Sequence, residues 1–259
     1  MSKKLLPPPS ENAREGLRHK QAAQALGERR VKLATRIAWI TGLLVIALMI
    51  GVTVWSVANA RSVSATPASG DAVAPLSAVD GGGIVAGNAA APVTVTVYAD
   101  FMCPYCGQFE QVNGDDLDAA IAAGKAKVEM HPMSFLDRYS SGTQYSTRAA
   151  NAFATVANHD AGIAMAFMKL LYANQPEEGS TGLTDSRLVE LAKQAGAPAE
   201  VTATFAKRTF EPWVAKITEQ AFASGVQSTP TVKINGVVQT ANLLVPGTLA
   251  AAIDKAANG

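Results

Sequence analysis

Cysteine is nearly absent from this chain. Its 259 residues hold two, Cys103 and Cys106. A framework of structural disulfides is therefore excluded, and so is a four-thiolate zinc site, because there is no second cysteine pair. Histidine is almost as scarce, with His19, His131 and His159. A mixed zinc site would have to recruit the last two from distant positions. Strong charge of one sign is missing as well. The formal net charge is +1, which lacks the basic excess of a nucleic-acid binder. No internal repeat is present. About half of the residues are apolar (48%), enough for a sizeable core of one or two domains.

The small net charge conceals an uneven distribution. Residues 1–36 carry nine Lys/Arg and three Asp/Glu, whereas the remainder carries 13 and 18. A basic head on a mildly acidic body is an orientation signal for a membrane segment. Residues 37–58 (IAWITGLLVIALMIGVTVWSVA) follow without a single charge, long enough to cross a bilayer core. Trp39 and Trp55 stand near the two ends, as in an interfacial aromatic belt. The expected organisation is a cytoplasmic tail at 1–36, a transmembrane helix at 37–58 and a flexible linker at 59–81. A domain outside the cell membrane follows at 82–259. Ala58-Asn59-Ala60 resembles a signal-peptidase site, but the apolar run is longer than a usual signal core, so an uncleaved anchor is expected. Either way the domain lies where disulfides persist.

The two cysteines stand at a junction. Val93–Ala99 alternates valine with other residues like a strand, and a helical pattern starts at Pro104. Cys103 would then be the N-cap, where unpaired backbone N–H groups and the helix dipole favour a thiolate. Pro104 suits the first helical position. Cys106 would face back from the first turn, more buried. That arrangement assigns attack to Cys103 and resolution to Cys106. Inert core cysteines, half of a zinc site and a static structural disulfide are the competing readings.

The stretch APVTVTVYADFMCPYC resembles the opening of the DsbA-like family of thioredoxin-fold thiol–disulfide oxidoreductases. A second block, GVQSTPTVKING from Gly225 to Gly236, is similar to the segment that carries that family's cis-proline. The resemblance implies a thioredoxin-like α/β fold with an inserted helical subdomain, here at about 140–224. It implies a redox-active Cys103–Cys106 disulfide tuned by the dipeptide Pro104-Tyr105. It also implies a substrate-binding loop at Thr229 and Pro230, with a cis bond that places the backbone of Thr229 against an extended partner. Asp100 and Phe101 are candidate supporting residues, and Asp100 resembles an aspartate frequent three positions before the family's first cysteine. As a plain turn-former Asp100 would only bond the backbone.

The rest reads as scaffold. The helix from Pro104 is expected to break at Asn113-Gly114 and to end at Gly124. A strand is expected over residues 125–135, with His131 as a packing residue. Helices are expected over residues 145–157, 163–172, 184–195, 199–209 and 212–223. Met165 and Met168 are read as core rather than as an adaptable surface. Asn235-Gly236 predicts a hairpin turn, and Pro246 the start of a last helix.

The expected activity is an extracytoplasmic oxidase that donates its disulfide to exported proteins with cysteine thiols. No metal and no cofactor are expected. The resemblance implies reoxidation by a quinone-linked membrane partner of the DsbB or vitamin K epoxide reductase-like kind. A thiol reductase or isomerase using the same site is the alternative, and a non-catalytic tethered binding module is another. No dimerisation segment is visible, so a monomer is expected.

Overall fold

The computed structural model describes residues 72–258. The basic tail, the apolar run at 37–58 and most of the linker lie outside the described residues. Among those described, no helix is long and apolar enough to cross a membrane.

A five-stranded sheet has the order β1-β3-β2-β4-β5. Its strands are β1 (Ile84–Ala86), β2 (Val93–Ala99), β3 (Ala126–Pro132), β4 (Thr231–Ile234) and β5 (Val237–Val238). β2 and β3 run parallel, with Val95 opposite Val128, and every other pair is antiparallel. A parallel pair needs a crossover. Helix α1 (Pro104–Ala122) supplies it and thereby carries the cysteines onto the sheet.

β2 is covered on both faces. Val93, Val95 and Val97 point one way, and Val97 and Ala99 meet Cys106, Phe109 and Leu117 of α1. Each such valine contributes about 1.5–3 kcal/mol by leaving water. Thr96 and Tyr98 face the other way and are buried too. Tyr98 packs there with Met133, Ala221 and Val226.

The inserted helices are α2 (Tyr145–Ala157), α3 (Ala161–Ala173), α4 (Asp185–Gln194), α5 (Ala199–Thr202) and α6 (Glu211–Ala223). The last helix, α7 (Thr248–Asn258), begins two residues after Pro246. Thr184 caps α4 as expected, its side chain accepting from the N–H of Arg187 at 3.2 Å. Asn235 and Gly236 both take positive φ (48° and 81°), which makes the β4–β5 hairpin turn.

Four expectations are corrected. α1 does not break at Asn113-Gly114. The buried Asn113 amide donates to the carbonyl of Phe109, one turn back, and to that of Leu243, both at 2.9 Å. Gly114 leaves room for the Glu110 side chain, since a methyl there would lie 2.7 Å from its Oε1. The strand expected over 125–135 stops at Pro132. Beyond it Met133 still bonds Ala99, and then Ser134 and Leu136 turn their N–H groups to Thr218 and Asp100. The helix expected at 199–209 splits into α5 and a 3-10 turn at Phe205–Lys207, ended by Arg208 at φ 54°. Buried Asn151 spans the gap, donating to Phe205 and accepting from Phe210. Finally, the chain is docked on the domain before residue 81. Leu76 and Ser77 donate to the side chain of Asn158 and the carbonyl of Ala157.

Candidate redox centre

β2 ends and α1 begins within five residues, and that turn builds the site. Cys103 is the N-cap in an extended conformation, and Pro104 occupies the first helical position. The Cys103 carbonyl accepts from Cys106 at 2.9 Å and Gly107 at 3.2 Å, closing the first turn. Both thiols are free. Cys103 retains 5% of its surface and Cys106 only 1%. Tyr105 between them is 62% exposed and stands clear for a partner.

The two sulfurs are held in opposite electrostatic states. The Cys103 thiol is lowered to about 6, chiefly by a hydrogen bond from the Cys106 thiol. Burial opposes that fall, while the Thr229 side chain and the N–H groups of Cys106 and Tyr105 add to it. Burial pushes Cys106 well above the ordinary thiol value, and its neighbour Cys103 pushes it further. Cys103 is therefore the thiolate at neutral pH, and Cys106 keeps its proton.

Thr229 and Pro230 come to the same place from the far end of the domain. Their peptide bond is cis. Cys103 Sγ lies 3.3 Å from the Thr229 carbonyl oxygen and donates to it as a thiol. That carbonyl favours the thiol form, whereas the donors to sulfur favour the thiolate; the several donors outweigh the one acceptor.

Asp100 does fix the turn, and it also reaches the redox pair. Fully buried, it accepts from Met102 N–H at 2.8 Å and Ser146 Oγ at 2.7 Å on one oxygen. Its other oxygen accepts from Leu136 N–H at 2.8 Å. Burial raises its carboxyl to about 7 in spite of these three donors. Toward Cys106 it acts both ways: its backbone hydrogen bond lowers that thiol, and its charge, the smaller influence, raises it. Phe101 is a brace rather than a contact surface. It is fully buried, with ring centroids 5.6 Å from Phe153 and 5.4 Å from Tyr172.

Four further residues escaped the reading of the sequence. Ser146 on α2 and Leu136 hold Asp100. Gln175, just beyond α3, bonds the carbonyls of Phe101 and Cys103. Tyr172 lines a cavity of about 20 Å³ beside Cys106 and Glu110. None carries a local motif; only the folded chain brings them to the turn. His131 is a packed residue, its ring centroid 4.4 Å from that of Tyr98 and tilted by 31° to it. Its imidazole is lowered to about 4 by burial and by Lys233.

A thioredoxin family model (Thioredoxin_4) matches residues 79–255, a span that holds the cysteine pair, the helical insertion and the Thr229-Pro230 loop. The chain belongs to the thioredoxin family. Within that family it is similar to solved DsbA-like structures. The reduced disulfide bond oxidoreductase DsbG of Mycobacterium tuberculosis superposes with a TM-score of 0.61 at 27% identity, over 70% of this chain and 90% of that one. Oxidised BdbD of Bacillus subtilis gives 0.60 at 26%, over 73% and 100%. Oxidised DsbA of M. tuberculosis gives 0.60 at 26%, over 68% and 93%. Among curated relatives, the serine/threonine-protein kinase PknE of M. tuberculosis is 33% identical over 119 residues. That match covers 44% of this chain and 21% of the kinase. The chain thus spans about a fifth of that relative. The thioredoxin-like fold with its helical insertion agrees with the DsbA-like resemblance of the two sequence blocks.

Proposed function

We propose that this chain is a membrane-anchored, extracytoplasmic thiol–disulfide oxidoreductase that works as an oxidase. It passes the Cys103–Cys106 disulfide to exported proteins. One observation carries the reading: the donors around Cys103 favour its thiolate while Cys106 is buried and protonated. Stabilising the dithiol form in this way makes the disulfide a stronger oxidant. The uncharged run at 37–58 and its basic flank support the anchor.

The exchange balances as follows. A substrate thiolate attacks Cys103 Sγ, and the Cys103–Cys106 bond breaks. Cys106 leaves with the electron pair and takes up a proton. The second substrate thiolate attacks the substrate sulfur of the mixed disulfide, and Cys103 leaves as thiolate. The substrate has lost two electrons and this chain has gained them. A quinone-linked membrane partner, of the DsbB or vitamin K epoxide reductase-like kind, accepts those electrons and re-forms the disulfide. Tyr105 and the half-buried Thr229-Pro230 loop flank the sulfur that the substrate meets.

The test mixes the oxidised full chain with a reduced, unfolded dithiol protein. The reading expects one substrate disulfide for each Cys103–Cys106 pair reduced, and none with Cys103→Ser. A Cys103→Ser chain that retains its function in cells would instead mark a binding module. Faster reduction of substrate disulfides than oxidation of substrate thiols would mark a reductase.

A further inference from the structure

The loop that delivers Cys103 to α1 is gripped from two sides. On one side Asp100 takes the Met102 N–H with its side chain and the Cys103 N–H with its carbonyl, at 2.8 and 3.0 Å. On the other side stands Gln175, which belongs to the helical insertion. Its Nε2 donates to the carbonyl of Phe101 at 3.1 Å and to that of Cys103 at 2.9 Å. The root of Gln175 is itself fixed. Its N–H bonds the Tyr172 carbonyl, and its neighbour Asn174 accepts from Arg187 of α4 at 2.8 Å.

Gly107, the residue after the CPYC motif, makes room for this grip. A methyl group at Gly107 would lie 2.3 Å from Oε1 of Gln175, well inside van der Waals contact. Gly107 is helical with an ordinary φ, so the backbone does not demand glycine there. The close approach of the Gln175 amide does.

The Cys103 carbonyl thus accepts from Cys106, Gly107 and Gln175 together. The first two bonds define the opening turn of α1, and the third fixes the orientation of the peptide that joins Cys103 to Pro104. That orientation decides where the Tyr105 and Cys106 N–H groups point. We infer that Gln175 is a positioning residue for Cys103, through which the helical insertion holds the first turn of α1 with its N–H groups aimed at the nucleophilic sulfur. The inference rests on the oxidoreductase reading and deepens it. It makes the insertion part of the redox centre, with Gly107 and Gln175 acting as one unit.

The groups facing this turn are Asp100 before it, Cys106 and Glu110 on α1, and Lys169 and Tyr172 on α3; the Gln175 amide among them does not titrate. Replacing its amide by a carboxylate would set negative oxygen against two carbonyls and bring an anion near the sulfur, which disfavours the thiolate. Removing the side chain would release both carbonyls and leave the turn free to tilt.

The experiment titrates Cys103 in the reduced full chain, by thiolate absorbance and by the rate of alkylation, alongside the melting temperature. Wild type, Gln175→Ala, Gln175→Glu, Gly107→Ala and the double variant Gly107→Ala/Gln175→Ala are compared. Gln175→Ala is expected to lower the thiolate fraction at pH 5 roughly tenfold, and Gln175→Glu to lower it further. Gly107→Ala, which keeps Gln175 but displaces it, is expected to reproduce the loss. The double variant is expected to be no worse than either single one, because residues that act as a unit are non-additive.

A lowered melting temperature with an unchanged Cys103 titration would overturn the inference and leave Gln175 a structural brace. Additive losses in the double variant would overturn it as well. Should Gln175→Glu fail to fold, Gly107→Ala and the double variant still decide the matter. A wild-type chain that exchanges no disulfide would sink the oxidoreductase reading itself. Unaltered titrations in variants of an active wild type would sink only the role of Gln175.

Discussion

The thiol of Cys103 lies 3.3 Å from the carbonyl oxygen of Thr229, a residue 126 positions further along the chain. The contact exists only while Cys103 carries a proton. A thiolate or a disulfide sulfur has no hydrogen to donate, and the carbonyl is then free to accept the N–H of an extended partner segment. The same atom can therefore serve the dithiol at low pH, where Cys103 is protonated, and the mixed disulfide in turn.

The first prediction concerns reactivity against pH. Cys103 should be alkylated with a midpoint near pH 6, and Cys106 should resist until the chain is unfolded. The folded value lies below the ordinary thiol value of 9.0. The reduced fold therefore gains stability as pH rises above about 6, in full above 9.0, and loses it as pH falls through 6. Urea midpoints of the reduced chain across that window check the sign.

Asp100 shifts in the opposite direction. Its carboxyl rises from 3.8 to about 7, so its contribution to stability is complete below 3.8 and is lost as pH climbs through 7. Asp100→Asn should remove that slope. It should also destabilise by about 1–3 kcal/mol at low pH, since an amide NH₂ would face one of the three donors now satisfied. Denaturation at pH 4.5 and 7.5 should show the variant weaker at the lower value, with the gap narrowing at the higher one.

Asn113 offers a test of scaffold without chemistry. Its amide closes both the Phe109 and Leu243 carbonyls at 2.9 Å. Asn113→Ala should cost about 1–3 kcal/mol, because the Leu243 carbonyl is left without this donor. The urea midpoint should fall while the Cys103 titration stays in place.

Two of the chain's three asparagine-glycine dipeptides show how far local reading carries. At 235–236 the dipeptide makes the turn that its chemistry predicts, with both residues at positive φ. At 113–114 it runs through the middle of α1, where the Asn113 amide bonds the Phe109 carbonyl one turn back and the distant carbonyl of Leu243. Cys103, Pro104, Cys106 and the Thr184 cap were legible because neighbours in the chain decide them. So was the Thr229-Pro230 loop, through its resemblance to a family. Gln175, Ser146 and Leu136 were not, since their partners lie 72, 46 and 36 residues away. Likewise the break near Phe205 depends on Asn151, 54 residues earlier.

The direction of electron flow is the centre of the account, and the equilibrium reduction potential of the Cys103–Cys106 pair tests it most directly. The full chain is equilibrated in glutathione buffers of known ratio, and the dithiol fraction is read by a thiol-alkylation gel shift. The donors around Cys103 predict an oxidising value, above about −200 mV. A value near about −270 mV, as reducing as thioredoxin, would contradict the oxidase and leave a reductase in its place.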